Sequence, residues 1–143
     1  MTPIKLKLLK STNLLLVFSI TVLGFNTSCK KDEPKGNFVI TGKVVSKADN
    51  NPVRDIIIEV RDTKLLETNF TDYDGDYTAG IYDFPGDRTF NVRFSDIDGA
   101  LNGDFESFDT TVVFKNPVFI NGNGSDWAGY VDLILNVKLK PKK

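Results

Sequence analysis

An all-β fold, a seven-stranded antiparallel β-sandwich over residues 38–143, is the architecture this 143-residue sequence predicts. Three observations carry that expectation. Apolar residues recur with a period of two rather than 3.6. The alternating segments are separated by clusters of Gly, Pro, Asn and Asp. No window combines an apolar helical stripe with capping residues at its ends.

The first element lies ahead of the sandwich. Lys5, Lys7 and Lys10 give a positive start, Leu14 to Phe25 is an almost unbroken apolar run of 12 residues, and Asn26-Thr27-Ser28 are small or polar. That order is the three-part grammar of an export signal, assigned to residues 1–28. At about 1.5 Å per helical residue the run reaches about 18 Å, short of the roughly 30 Å hydrocarbon core that a permanent span must cross. A buried helix would keep its apolar residues on one face, whereas these are continuous.

Cys29 is the chain's sole cysteine, so an exported protein has no intramolecular partner for it. The segment "LGFNTSC" resembles the bacterial lipoprotein signal, in which the Cys is acylated and becomes the first residue after cleavage. It departs from the usual pattern at Asn26, where Leu is commonest. Ser28 fits. Each buried methylene contributes about 0.8 kcal/mol, and two or more acyl chains hold firmly where one does not, so the resemblance implies a lasting membrane anchor at Cys29. "KKDEPKGN" follows, with both charge signs, Pro34 and Gly36, and has too little apolar surface to offset ordering entropy. Residues 29–37 are therefore expected to be the lipidated Cys and a flexible tether. Its Lys-then-acid run resembles signals that route outer-membrane lipoproteins to the outer leaflet, which implies an envelope location with surface exposure.

Seven strands follow in order, near residues 38–46, 54–61, 65–71, 76–82, 89–95, 108–115 and 130–140. In "TFNVRFS", Phe90, Val92 and Phe94 share one face while Thr89, Asn91, Arg93 and Ser95 share the other. In "YVDLILNVKLK", Val131, Leu133, Leu135, Val137 and Leu139 alternate with Asp132, Ile134, Asn136, Lys138 and Lys140. The breaks "ADNNP", "DYDG", "FPGD", "DIDGALNGD" and "NGNG" supply turn residues. Two sheets that bury such alternating residues against each other make a sandwich.

Two resemblances narrow this. "ITGKVVSKADNNPVRDIIIEV" and "TNFTDYDGDYTAGI" resemble the carboxypeptidase-regulatory-like, transthyretin-like sandwich family in Gly42, Val44, Pro52, Val53, Thr71, Asp72, Gly75 and Tyr77. Where that family has Gly before Pro-Val, this chain has Asn51, a residue that also tolerates positive φ. The likeness is informative about fold and neutral about function. The remainder, from "FPGDRTFNVRFSDIDGALNGDFESFDTTVVF" to "GNGSDWAGYVDLILNVKL", is similar to the radical-SAM-associated lipoprotein family, named for neighbouring genes that encode a radical SAM enzyme. The positions that carry it are Asp96, Asp98, Gly99, Asn102, Gly103 and Trp127. Many members have a Tyr-Gly-x-Pro segment after the Cys, which this chain lacks.

Composition limits the chemistry. The chain has no His, and its one Cys is assigned to lipid, which removes Ser-His and Cys-His nucleophile pairs and the usual zinc sites. Carboxylate pairs remain in Asp96/Asp98 and Asp104/Glu106, at positions where turns need backbone acceptors. No enzymatic activity and no catalytic residue is expected. Removing residues 1–28 takes away three lysines and no acid, leaving 15 basic against 19 acidic side chains and a formal charge near −4. A basic face able to displace phosphate counterions is missing, so no nucleic-acid partner is expected.

Calcium is the sharper role for the acids, though no cofactor is required. "DYDGDY" places Asp72, Asp74 and Asp76 at alternating positions with Asp83 at the twelfth, but Tyr77 stands where a calcium loop demands Gly. "DIDGALNGDFE" offers Asp96, Asp98, Asn102 and Asp104 to a structural Ca²⁺ with more loop freedom. Trp127 lies in a loop of about 15 residues, the kind that carries recognition on sandwiches. With Asp126 and Asn123 it forms a candidate ligand-binding group for a sugar ring, and the competing reading is that Trp127 plugs one end of the core.

The sequence thus leads to a noncatalytic cell-envelope lipoprotein whose sandwich is a structural or binding module for protein or glycan. The alternatives are a client scaffold modified by a radical SAM enzyme, implied by the second resemblance, and a surface glycan- or calcium-binding accessory module.

Overall fold

The structure, a computed structural model, describes residues 33–64 and 66–143. The expected export signal and Cys29 lie outside the described residues. What is described is all-β: two sheets face each other across one apolar core, as the alternation predicts.

Nine strands build it: β1 (Lys35–Ser46), β2 (Ile56–Arg61), β3 (Leu66–Phe70), β4 (Asp76–Asp83), β5 (Arg88–Asp96), β6 (Phe108–Phe114), β7 (Ile120–Asn121), β8 (Trp127–Ile134) and β9 (Val137–Leu139). The first sheet has the order β4-β1-β8-β7, with β9 also paired to β1, and the second has the order β3-β2-β5-β6. Strand β1 starts at Lys35, three residues earlier than expected, because Gly36 and Asn37 already pair with Asp83 and Tyr82 of β4.

Three features differ from a seven-stranded antiparallel arrangement, the first being the short strand β7 inside an expected loop. Strand β1 runs parallel to β8 and β9, so the sheet is mixed. The expected strand 130–140 is also two strands. Their register with β1 is continuous, Thr41 opposite Ile134 and Val44 opposite Val137, so the break at Leu135-Asn136 adds and removes nothing. Leu135 still donates its N–H to the Thr41 carbonyl (2.7 Å), but the Lys43 N–H goes to the Asn136 side-chain Oδ1 (2.9 Å).

Inward-facing Phe38, Ile40 and Val44 of β1, with Tyr77, Ala79 and Ile81 of β4, meet Ile56, Ile58 and Val60 of β2 and Phe90, Val92 and Phe94 of β5. Full burial of each such large side chain contributes roughly 1.5–3 kcal/mol. Aromatic rings join the sheets edge to face: Phe38 with Phe90 (5.6 Å) and Phe114 (5.3 Å), and Tyr77 with Phe94 (5.5 Å). Strand β3 is exposed throughout and forms an edge.

The motif resembling the transthyretin-like family is structural in every part. Buried Thr71 accepts the Ile56 N–H on Oγ1 (3.0 Å), Val53 is in the core, and Pro52 bridges to Val45. The positive φ expected at Asn51 falls instead on Asn50 (φ 60°). Asn51 is held by Asp49, which accepts both its N–H (3.1 Å) and its Nδ2 (2.7 Å).

Candidate functional site

Strand β1 has two ends, and its register assigns each loop to one of them. The end at Ser46 gathers residues 47–55, the turn Thr71–Gly75 and the loop 96–107; the end at Lys35 gathers residues 62–64, 84–87 and 115–126.

At the Ser46 end the turn is closed by Asp72, whose Oδ1 accepts the N–H groups of Asp74 and Asp76, both at 2.9 Å. Gly75 takes φ 75°, and a Cβ there would lie 2.5 Å from the Val44 carbonyl, so the position excludes a side chain on two grounds. The turn leaves Tyr73 at its corner, 78% exposed. The Arg54 guanidinium lies 5.1 Å from the Tyr73 ring centroid, a cation–π contact.

Loop 96–107 is organised by one carboxylate. Asp96 Oδ1 accepts the Asp98 N–H (3.2 Å) and the Gly99 N–H (3.0 Å), and Oδ2 accepts the Phe105 N–H (2.9 Å). Asn102 ties this loop to its neighbour: its Oδ1 accepts from Arg54 Nε (2.5 Å), and its Nδ2 donates to Asp55 Oδ2 (3.0 Å) and to Asp98. A 3-10 turn over Gly99–Leu101 then turns Ile97 and Leu101 outward, 61% and 83% exposed. Asn51, Pro52, Arg54, Tyr73 and Asn102 line an open depression of about 380 Å³ beside them.

The four oxygen donors expected for calcium are therefore divided. Asp98 and Asn102 meet each other, and Asp96 serves backbone N–H groups. Asp104 accepts from Lys142 Nζ (2.5 Å), a bond that holds the Lys142 ammonium above its ordinary pKa. Asp83 is at the far end of β4 from Asp72, bonded to Arg88 Nε (2.8 Å). Among the described residues no three acidic side chains form a metal-holding group.

Trp127 and its neighbours are at the other end. The expected long loop is a hairpin, with Ile120 and Asn121 paired to Tyr130 and Gly129. Asn123 Oδ1 accepts the N–H groups of Ser125 (3.0 Å), Asp126 (3.0 Å) and Trp127 (2.9 Å), so that oxygen is committed to the turn. Asp126 Oδ2 accepts from Ser125 Oγ (3.1 Å). Trp127 is half-buried and stands outside the core cluster. Phe119 packs edge-on against Phe38 at 5.1 Å and lies against the core.

Sequence reasoning found Asp96, Asp98 and Asn102 but passed over Arg54, Tyr73, Ile97 and Leu101. The available signal was a large apolar side chain inside a turn cluster whose geometry needs none.

No family model matches the chain, and no curated protein matches it. Among solved structures, a 9R-lipoxygenase from Cyanothece PCC8801 aligns at 20% identity with a TM-score of 0.36, over 71% of this chain and 16% of that one. A likeness at that level carries no argument about fold or activity.

Proposed function

We propose that this chain is a noncatalytic, lipid-anchored module of the bacterial cell envelope whose sandwich presents a protein-docking tip away from the membrane. One observation carries the reading. Strand β1 begins at Lys35, six residues after Cys29, and the exposed group Tyr73, Ile97 and Leu101 lies at its other end. Eleven strand steps separate the two, about 36 Å at roughly 3.3 Å per residue. An acylated Cys29 would hold the Lys35 end near lipid, with Tyr73, Ile97 and Leu101 at the far end of the strand.

The tip has the composition of a recognition surface: an aromatic residue and an arginine in contact, and exposed Ile97 and Leu101 on the loop that Asn102 ties to Arg54. The Asp96 and Asn102 networks hold these groups in place before any partner arrives, which lowers the ordering cost of binding. The outer-membrane location and the radical SAM association rest on the sequence resemblances given above.

Two measurements test the reading. Intact mass of protein extracted from its native membrane should report acyl chains on Cys29, and Cys29→Ser should release the protein to the soluble fraction. A photo-crosslinking residue at position 73 or 101 should yield adducts with one and the same protein, whereas one at exposed Val113 should not. A mature mass without acyl chains, or equal adducts from all three positions, would overturn it.

A further inference from the structure

The Lys35 end carries a second surface, built from side chains that the core does not use. Lys35 Nζ lies 4.8 Å from the Phe84 ring centroid and 5.8 Å from that of Tyr82. Register sets Trp127 directly beside Lys35. Tyr82 is 50% exposed, and Val118, on the chain between β6 and β7, is 77% exposed.

These groups are fixed relative to one another. Arg88 bonds Asp83 through Nε (2.8 Å) and the Phe84 carbonyl through Nη2 (3.0 Å), which holds loop 84–87 down. Asp87 accepts from Lys115 Nζ and from the Asn116 N–H (2.7 Å), which ties the segment leading to Val118 to that loop. Among the described residues, four cations, Lys35, Lys64, Arg88 and Lys115, share this end with five acids, Glu33, Asp62, Asp83, Asp87 and Asp126. The rim is aromatic and aliphatic, and it has no excess of positive charge.

We propose that this rim is seated on the lipid surface, with Tyr82, Phe84, Val118 and Trp127 among the headgroups. The inference rests on the reading that Cys29 is acylated. Six residues reach at most about 20 Å from Cys29 to Lys35, so an anchored chain keeps this end within that distance of the bilayer. Trp and Tyr favour the membrane interface, where the ring is half in hydrocarbon and its polar edge is wet. The Lys35 ammonium lies over both rings, which places a cation at the level of the aromatic rim, where lipid headgroups would lie. Because this end has no excess of positive charge, contact draws on no anionic lipid and resists salt. Seating at this end fixes the tip outward, which a flexible tether alone would not.

The chain's single Trp makes the test direct. The full acylated chain is reconstituted into neutral phosphatidylcholine vesicles, plain or brominated on the acyl chain near the headgroup. Trp127 emission should fall about twofold in the brominated vesicles, with the same quenching at molar salt. Tyr82→Ser combined with Phe84→Ser should remove most of that quenching while the chain still pellets with vesicles. Pelleting with equal Trp127 emission in both vesicles overturns the seating and leaves the anchor intact. Failure to pellet overturns the anchor, and the seating with it.

Discussion

The Tyr77 hydroxyl donates to the Leu135 main-chain carbonyl at 2.7 Å, across the interruption between β8 and β9. In an unbroken parallel ladder that carbonyl would accept the Lys43 N–H. Here Asn136 Oδ1 takes the Lys43 N–H, and the freed carbonyl turns over Gly42, where a Cβ would lie only 2.0 Å from it. Gly42 and Tyr77 are register partners on β1 and β4, so one contact point explains both residues.

Tyr77→Phe keeps the ring against Phe94 and removes only this donor. It should cost about 1–3 kcal/mol, since the Leu135 carbonyl is left without its side-chain donor. Burial also pushes the Tyr77 phenol well above its ordinary value of 10. The unfolded chain releases that proton near pH 10 while the folded chain retains it, so this stability is full below pH 10 and drains as pH rises above it. Urea midpoints measured at pH 8 and pH 11 should fall more steeply for the parent than for Tyr77→Phe; parallel losses would refute the assignment.

Gly42→Ala tests the same point from the other strand. The methyl would meet backbone rather than a flexible side chain, so the Leu135 carbonyl must move and the Tyr77 bond lengthens. Overpacking of this kind costs about 1–3 kcal/mol. Combined with Tyr77→Phe, the loss should be smaller than the sum of the two, because both act on one carbonyl. Strict additivity in the double-mutant cycle would show that the two act separately.

Those residues also mark the boundary of what could be read from the sequence. Strands 76–82 and 89–95 were legible to within a residue at each end, because period-two burial and turn residues are local signals. The parallel pairing of β1 with β8 was not, since residues some 90 positions apart leave no local trace of who pairs with whom. Nor was the break at Leu135-Asn136: inward Leu135 and Val137 alternate without a fault across it, and the signal, an Asn on the outer face, reads as ordinary polarity. At the tip, the Asp96 turn was legible from Asp and Gly spacing. The exposure of Leu101 depends on a three-residue helical turn that the sequence does not announce.

Asp96→Ala removes an acceptor shared by three N–H groups at once. Bonds to a charged acceptor contribute about 1.5–3 kcal/mol each at most, and two of these share one oxygen, so a net loss of about 2–3 kcal/mol is expected. Amide exchange should quicken across residues 97–105 while β5 above Phe94 stays protected. Because Asp96, Asp98 and Asp104 are already engaged by protein donors, millimolar Ca²⁺ should leave the melting temperature of the parent unchanged. A rise in Tm on adding Ca²⁺ would mean that these donors give way to a cation.

The tip separates binding from stability. Tyr73 and Leu101 are largely exposed, so Tyr73→Ser and Leu101→Ser should each change stability by less than about 0.5 kcal/mol. Arg54→Ala differs, because beyond the ring contact that Tyr73→Ser also removes, it deletes the bond to Asn102 Oδ1 and the ion pair with Asp55 (3.4 Å). It should cost about 0.5–1.5 kcal/mol and loosen residues 98–103. If the tip docks a protein, all three variants lose the crosslinked adduct formed at an unaltered tip position, but only Arg54→Ala lowers the urea midpoint. If Leu101→Ser instead destabilised the fold as much as Arg54→Ala, the exposed leucine would be serving the sandwich rather than a partner. The docking reading of the tip would then lose its basis.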